Sequence, residues 1–497
     1  MTLADLLCLI KTAWLVGDPT IEITGIQIDS RKVNSGDLYV CLPGVEGQMT
    51  DRHLYAQDAV NRGAVALVVE HDVPVSIPKI FVKNSRFALA VCSNHLYNYP
   101  SNELRLIGIT GTNGKTTTAS LLGHILNNNG LSAGVLGNLG MRFKGETVEY
   151  CGNTPESPDL QRYLRVMRQN GIDYCVMEVS SHGLDMGRVM GCNFSSAIFT
   201  NLTHDHLDYH KTMENYILAK SKLFSGLGNQ YTNYEKGRKY AIINIDDPHA
   251  GEIMNATAAQ IVTYGINNKA DVYAEDINYC AVGIEFMLVT FAGKQNVRTN
   301  LVGKFNIYNV LGAITAALIE NVPLEKIAKS LENVPCIEGR MDTVSNMKPL
   351  VIVDYAHTPD GLESALLSIR KFASGRLISV FGCGGDRDRS KRPLMGAVSS
   401  KLSNHTIVTS DNPRNEDPYL IMKDIIRGLE HSSYEAIEDR QEAIFKAILD
   451  ANDEDVILIA GKGHEKYQVV GEQKKPFDDK EVAKMALNRR KSQKEST

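Results

Sequence analysis

The chain has no Cys-x-x-Cys pair, and its nine cysteines stand scattered at 8, 41, 92, 151, 175, 192, 280, 336 and 383. An odd, unpaired set of this kind excludes a disulfide framework and a cysteine zinc site, and most of these residues read as small buried hydrophobes. No apolar run reaches the roughly 20 residues of a membrane-spanning helix. The N-terminal stretch MTLADLLCLIKTAWLVGDPT is broken by Asp5 and Lys11 and lacks a basic start and a cleavage site, so a cytoplasmic location without membrane contact is expected. A basic excess is also missing. Lys+Arg 53 against Asp+Glu 58 gives a formal net charge of -5, which offers no field to hold nucleic acid. What is present is ordinary globular usage, 43% apolar and 22% charged with 40 Gly and 16 Pro, and this excludes a disordered, collagenous or coiled-coil chain. At 497 residues the length is about three times a domain prior of roughly 150, so three domains are expected.

Residues 1–97 carry short strand-like runs (IEITGIQIDS, GDLYVCL, AVALVVE, IPKIFV) and one helical stretch, which reads as a small N-terminal α/β domain. From 98 to 335 a buried strand, LRLIGIT, leads into a Gly-rich turn and an apolar helix closed by Gly130. Further apolar runs, YCVMEVSS, SSAIFTNL, YAIINID and QIVTYGI, alternate with helix-length segments and predict a central parallel-sheet domain of P-loop type. VPCIEGRMDTVSN reads as a linker. Within 336–497 the strands PLVIVDYAH, RLISVFG, HTIVTSD and DVILIAGKG alternate with helices, predicting a Rossmann-like doubly wound domain, and the last ten residues read as a frayed tail.

Gly111-Thr112-Asn113-Gly114-Lys115-Thr116-Thr117 lies between a strand and a helix, where backbone N–H groups and a helix N-terminus cradle a polyphosphate. Lys115 would reach the terminal phosphates and the Thr116 hydroxyl would ligate Mg2+. The spacing departs from G-x-x-x-x-G-K-[ST], because Ile109 stands where the first glycine belongs, so a plain glycine turn is the competing reading. Asn268-Lys269-Ala270-Asp271 has the form of a guanine-reading motif, but no Asp in the chain is followed three residues later by Gly; the segment reads as a polar loop.

Two strand ends follow the loop, one carrying Glu178 and the other the run FTNLTHDHLDYHKTMENY. In a doubly wound sheet both belong at the carboxyl edge beside the phosphate loop. Glu178 is a candidate Mg2+ ligand, or else a buried acid with a hydrogen-bonded partner. His206, between Asp205 and Asp208, is the histidine placed near metal, whereas His204 and His210 read as solvated or structural. Lys220 on its own reads as a solvated helix residue.

GITGTNGKTTT, MEVSSHGL, NLTHDHLDYHKTMENY, AKSKLF, GKFNIYNVLGA, GRMD, DYAHTPDGL, FGCGGDRDRSKRP, DNPRNEDP and GKGHEKYQ occur in one order. Together these blocks, spread over nearly the whole chain, resemble the Mur ligases of peptidoglycan synthesis; single blocks also resemble folylpolyglutamate synthetases. The resemblance implies an N-terminal uridine-nucleotide domain, a central ATP and Mg2+ domain and a C-terminal amino-acid domain, in a monomer. It implies that ATP drives amide formation on UDP-MurNAc-L-Ala-D-Glu through an acyl phosphate. Lys115, Thr116, Glu178, His206 and a carbamylated Lys220 would serve catalysis and metal, with Thr116, Glu178, His206 and Lys220 as metal ligands. Asn306, Asn309, Arg340 and Asp354 would contact ATP alongside Gly111 to Thr117. Ser30 would meet the uridine, and Asn153, Thr154, Ser180 and Arg188 would grip the muramoyl-dipeptide. Asn153, Arg52 and His204 depart from the residues usual in the family and touch the substrate side.

Arg387, Asp411-Asn412-Pro413-Arg414 and Gly461 to Glu465 follow successive strands of the last domain, so they are expected at one rim. A diamino acid with a distal carboxylate and ammonium needs a guanidinium and a carboxylate, which Arg414 and Glu465 supply. In the family the Asp-Asn-Pro-Arg block accompanies meso-diaminopimelate. A lysine-adding ligase, a folylpolyglutamate synthetase and a nucleotide-gated binding protein remain the alternatives.

Overall fold

The structure is a computed structural model and describes residues 1–497 apart from 46–48, 151, 230–236, 281–282, 346, 431–432 and 496–497. Among the described residues three main sheets follow one another along the chain. The first has five strands in the order Trp14–Val16, Lys79–Phe81, Ala66–Val69, Asp37–Val40, Gly25–Gln27, with only the outermost pair, Trp14–Val16 on Lys79–Phe81, antiparallel. The runs DLYV and ALVV are buried at every position, as strands covered on both faces must be. Trp14–Val16 and the helices Leu3–Leu9 and Ser85–Leu96 were not predicted from the sequence; the strand is only the three residues Trp-Leu-Val, too short for an alternation to show.

The central sheet has eleven strands. Its parallel core is ordered Ala133–Gly137, Tyr174–Glu178, Arg105–Thr110, Phe194–Phe199, Tyr240–Asn244, Gln260–Gly265. Val272–Cys280 continues the parallel run beside Gln260–Gly265, and antiparallel strands extend both ends: Gly140–Phe143 and Glu146–Val148 at one, and Gly283–Thr290 and Gly293–Thr299 at the other. The sheet is therefore mixed rather than parallel throughout. On one face pack helices Lys115–Asn128 and Lys304–Ile319, through a core that includes Leu121, Ile125, Val310 and Ile314; the other face buries Leu160, Leu164, Leu223 and Phe224 of helices Ser157–Gln169 and Met213–Ser225. Leu160, Leu164 and Met167 are spaced one turn apart and all buried, the stripe that fixes an amphipathic helix on a sheet.

The third sheet has six strands ordered Asp342–Thr343, Leu350–Asp354, Val456–Ala460, Leu377–Phe381, His405–Val408, Ser433–Ala436. It is parallel except for Asp342–Thr343 and has helices on both faces, as a doubly wound fold requires. Ser433–Ala436 was missed from the sequence because SYEA is mostly exposed and has no apolar alternation. Gly461 therefore follows the fifth long strand of this unit, not the fourth. The chain end is also corrected: helix Asp479–Glu495 runs through most of the expected tail, buries Val482, Ala483, Ala486 and Leu487, and ties Arg490 to Asp453 at 3.0 Å. Cys41, Cys92, Cys175 and Cys383 are buried as expected, while Cys8 and Cys336 are exposed; Cys151 lies outside the described residues. Among the described residues no helix is long and apolar enough to cross a membrane.

Candidate active site at the junction of the central and C-terminal sheets

The phosphate-binding loop forms where strand Arg105–Thr110 turns into helix Lys115–Asn128. Gly111 and Gly114 hold φ of +152° and +88°, and a Cβ there would meet Thr200 Oγ1 at 1.9 Å and Asn309 Oδ1 at 2.2 Å. Only glycine fits both. The loop is tied to the next strand end: Asn113 N–H donates to Asn201 Oδ1 at 2.8 Å, and Thr200 Oγ1 donates to the Asn113 carbonyl at 2.7 Å. Lys115 Nζ is folded back on the loop carbonyls of Gly111 and Thr112, both at 2.8 Å. Burial depresses its pKa, with Glu178 opposing and Arg340 reinforcing that shift.

Glu178 ends strand Tyr174–Glu178 and is 2% exposed. It is a buried acid with partners: Thr116 Oγ1 donates to Oε2 at 2.9 Å and Asn138 N–H to Oε1 at 2.9 Å. A hydroxyl and a carboxylate side by side at the loop are the hard oxygen donors that suit Mg2+. Arg340, placed by sequence in a linker, reaches across from the third sheet and donates from Nη2 to Thr116 Oγ1 at 3.0 Å, with its guanidinium 4.6 Å over the Tyr355 ring. Its Nε is buried without a partner. Asp354 accepts the N–H groups of Met341 and Ala356 at 2.7 and 2.8 Å, so it fastens the Arg340 turn to its own strand. Asn306 and Asn309 share one face of helix Lys304–Ile319, both buried, with Asn309 Nδ2 donating to Asn306 Oδ1 at 2.9 Å.

Lys220 is 1% exposed, which overturns its reading as a solvated helix residue. Its Nζ donates to the Gly111 carbonyl at 2.8 Å and lies 4.4 Å over the Tyr216 ring. Burial, then repulsion from Lys115, drives its pKa well below the usual lysine value against the pull of Asp205. An amine so placed loses its proton readily and becomes nucleophilic. His206 adopts φ +56° and lies among His182, His210 and Tyr216, with ring centroids 4.9 Å from His182 and 6.0 Å from Tyr216. Burial holds its pKa far below the imidazole range, opposed by Asp205, whose Oδ2 is 3.3 Å from His206 Nε2. His210 is structural as expected, bonded through Nε2 to Ser181 Oγ at 2.9 Å.

Asp205 and Asp360 had no role in the sequence reading, and His204 was read there as solvated or structural and as a substrate-side departure from the family, yet all three bridge the two sheets. The Asp205 carboxylate lies within 3.8 Å of His357 and 3.7 Å of Lys391. Asn113 Nδ2 donates to Asp360 at 2.9 Å. A cavity of about 630 Å3 opens beside this contact, lined by Asn113, Gly114, Asn309 and Tyr308 from one side and Asp360 and Lys371 from the other. The Asn268 to Asp271 segment lies at the surface and bonds back onto the protein: Asn268 bonds Asp246 and Asp271 bonds Thr263, each through a backbone N–H and a side chain. It is the polar loop expected, with its side chains spent on the protein.

Thr154, Ser180 and Arg188 meet next to Glu178. Thr154 Oγ1 lies 3.1 Å from Ser180 Oγ and 3.2 Å from the Glu178 carbonyl, and Arg188 Nη1 donates to the Thr154 carbonyl at 3.0 Å. Glu156, unnoticed in the sequence, pairs with Arg188 at 2.9 Å and with Arg86 of the first unit at 2.6 Å. Asn153 lies on the same strand-to-helix connection, half-buried. Ser30 is elsewhere, buried at the start of a 3-10 turn that Asp29 caps. Asp51, His53 and His71 group three metal-capable side chains, but both ring nitrogens of His53 are engaged, with Asp51 Oδ1 and with the Glu70 N–H, so the group is a hydrogen-bonded strut.

At the carboxyl rim of the third sheet Arg387, Asp411 to Arg414, Gly461 and Glu465 converge. A Cβ at Gly384 would lie 2.8 Å from Arg414 Nη1 and 3.7 Å from Arg387 Cγ, so the two arginines flank one glycine. Arg414, at φ +52°, donates to the Gly385 carbonyl at 2.7 Å; burial and then Arg387 lower its pKa. Pro413 packs on the same loop, its carbonyl 1.9 Å from where a Cβ of Gly385 would fall. Glu465 accepts from Asn412 Nδ2 at 2.8 Å and from the fully buried Lys462 at 3.2 Å. Gly461 leaves room for the Asp411 carboxylate, 2.6 Å from its would-be Cβ.

A phosphate-binding loop with a buried carboxylate, closed from a second sheet that carries its own charged rim, is the arrangement of a nucleotide-dependent enzyme. Family models match in three stretches: Mur ligase family, catalytic domain, at 22–102; Mur ligase middle domain at 109–317; and Mur ligase, glutamate ligase domain, at 339–463. The chain is 47% identical, over 94% of its length and 95% of the relative's, to a Bacillus cereus protein named UDP-N-acetylmuramoyl-L-alanyl-D-glutamate--2,6-diaminopimelate ligase. A protein of the same name from Halalkalibacterium halodurans is 46% identical over 95% of this chain and 96% of its own. A solved structure of an enzyme of that name superposes with a TM-score of 0.65 at 33% identity, covering 94% of this chain and 95% of the other. The chain belongs to the Mur ligase family.

Proposed function

We propose that this chain joins meso-diaminopimelate to the D-Glu γ-carboxylate of UDP-MurNAc-L-Ala-D-Glu at the expense of ATP, acting as a cytoplasmic monomer with domains bounded at 97/98 and 335/336. The observation that carries the choice of amino acid is the pair Arg387 and Arg414 flanking Gly384 opposite Glu465 and Asp411. Two guanidiniums that repel one another welcome a carboxylate between them, and the nearby acids suit an ammonium. The names of the relatives point the same way.

In the reaction the γ-carboxylate attacks the terminal phosphorus of ATP, giving an acyl phosphate and ADP. The incoming amine then adds to the acyl carbon, loses a proton and expels phosphate. An anion attacking a polyanion is opposed by charge. Lys115, on leaving the carbonyls of Gly111 and Thr112, supplies the cation, and Arg340 brings a second from the other sheet. Mg2+, when bound, neutralises phosphate oxygens; Thr116 and Glu178 would hold one ion, and His206 with Lys220 the other. For that role Lys220 is carbamylated: its neutral amine adds to CO2 and releases a proton, and an uncharged buried amine becomes a carbamate anion. Asn306, Asn309 and Asp354, with the cavity beside Asn113 and Asp360, hold the nucleotide. Ser30, Asn153, Thr154, Ser180 and Arg188 hold the uridine and dipeptide parts. Closure of the two sheets excludes water from the acyl phosphate.

The test is phosphate release with ATP and UDP-MurNAc-dipeptide across a panel of amino acids. Release that depends on meso-diaminopimelate is expected. Equal response to L-lysine would point to the lysine-adding alternative, and release without any acceptor to a nucleotide-gated binding protein. A folylpolyglutamate synthetase is disfavoured by the N-terminal sheet and its family match at 22–102.

A further inference from the structure

The segment His204 to His206 faces the segment Asp388 to Lys391 across the junction. His204 Nε2 donates to Asp388 Oδ2 at 2.9 Å, and Ser390 Oγ lies 3.3 Å from the same nitrogen. Asp388 is itself anchored, its Oδ1 accepting the Ser390 N–H at 2.9 Å and hydroxyl at 2.5 Å. One residue along, Asp205 Oδ1 lies 3.7 Å from Lys391 Nζ, and both side chains are under a tenth exposed. The same Oδ1 accepts the His206 N–H at 2.9 Å. On the far side, Arg387 immediately precedes Asp388 and shares the Gly384 corner with Arg414. A few residues thus connect the strand end that carries His206 to the guanidinium pair.

The contacts between the two sheets divide by position. Asn113 with Asp360 and Thr116 with Arg340 adjoin the phosphate loop, whereas His204 with Asp388 adjoins Arg387. Losing a contact of the second kind should therefore weaken the amino-acid site and spare the nucleotide. We propose that His204 and Asp388 are positioning residues that latch the C-terminal sheet onto the central one and so hold Arg387 where the amino acid must meet the acyl phosphate. This rests on the ligase reading given above. With the His204 side chain 38% exposed and that of Asp388 9%, solvent competes for the bond, so the effect is moderate.

The experiment compares the full-length wild type with His204→Ala, Asp388→Asn, the double variant and His204→Arg, measuring amino-acid-dependent phosphate release and small-angle X-ray scattering with a non-hydrolysable ATP analogue. His204→Ala should raise KM for meso-diaminopimelate about 5- to 10-fold, at roughly one decade per 1.4 kcal/mol, while KM for ATP changes less than about 2-fold. The double variant should be no worse than either single one, because both lose one shared bond. His204→Arg, which can still donate to Asp388, should restore KM. Scattering, which needs no turnover, should show a larger radius for His204→Ala and a wild-type radius for His204→Arg. Additive losses, equal shifts in all KM values, or unchanged scattering would overturn the latch. If the wild type shows no amino-acid-dependent release but the scattering difference holds, the ligase reading fails and the latch stands.

Discussion

Replacing Arg414 by alanine is the sharpest test of the amino-acid site. Its guanidinium is half-buried, fixed by the Gly385 carbonyl at 2.7 Å, and destabilised as a cation by burial and by Arg387. The distal carboxylate of meso-diaminopimelate would relieve that repulsion and accept charge-assisted hydrogen bonds of about 1.5 to 3 kcal/mol net. L-Lysine has no such group, so its complex would leave the guanidinium pair without an anion. At about 1.4 kcal/mol per decade the wild type should prefer meso-diaminopimelate by at least about 10- to 100-fold in kcat/KM, and a site built on a polar group can exceed this. Arg414→Ala should collapse the ratio, chiefly by raising KM for diaminopimelate. Arg414→Lys should fall between, since it keeps the charge but loses the planar fork. The assay is steady-state phosphate release with each amino acid at saturating ATP. Equal use of the two by the wild type, or an unchanged ratio in the alanine variant, refutes the reasoning.

Lys220→Ala should nearly abolish turnover while equilibrium binding of the uridine substrate is unchanged, and added bicarbonate should not restore activity; a fully active variant sinks the carbamate. Lys115→Ala should eliminate acyl phosphate formation, read as loss of ADP production even with the dipeptide substrate saturating. ATP should be preferred over GTP, because Asn268 and Asp271 are already bonded to Asp246 and Thr263; a GTP preference in a nucleotide competition assay would reverse that reading. Glu416 pairs with the buried Arg392 and also accepts the Asp386 N–H, and the Arg392 bond is what lowers its pKa. A folded-state pKa below the unfolded value, about 4.3 for glutamate, stabilises the fold above that pH and is lost as pH falls through the folded value. Glu416→Gln should therefore be less stable than wild type in urea melts at pH 7, with the gap closing below about pH 4; a gap independent of pH contradicts the pairing.

Local order carried the legible part of this protein. The phosphate loop, the helix it starts and the strand that delivers Glu178 are each set by residues within a turn or two of one another, so spacing alone reveals them, whereas Asn306 and Asn309 were singled out by the family resemblance. Short or exposed strands gave no such signal: Trp14–Val16 and Ser433–Ala436 are strands because a neighbouring edge pairs with them; the first is only three residues long and the second is mostly exposed with no apolar alternation. The helix over the last residues was hidden for a related reason, since few of its side chains are apolar and its burial depends on the Arg440 to Leu449 helix it packs against. Charge pairs were the least legible of all. Lys220 looks like any helix lysine until Met213–Ser225 packs on the sheet and brings its amine under the Gly111 carbonyl. Arg340 sits in a connecting segment by sequence, yet meets Thr116, 224 positions away. Asp205 with Lys391, His204 with Asp388 and Glu156 with Arg86 likewise join segments distant in the chain. Sequence determined which local elements present which functional groups; the docking of three sheets decided which of those groups meet, because a hydrogen bond or ion pair acts over a few ångströms of space and is blind to separation along the chain.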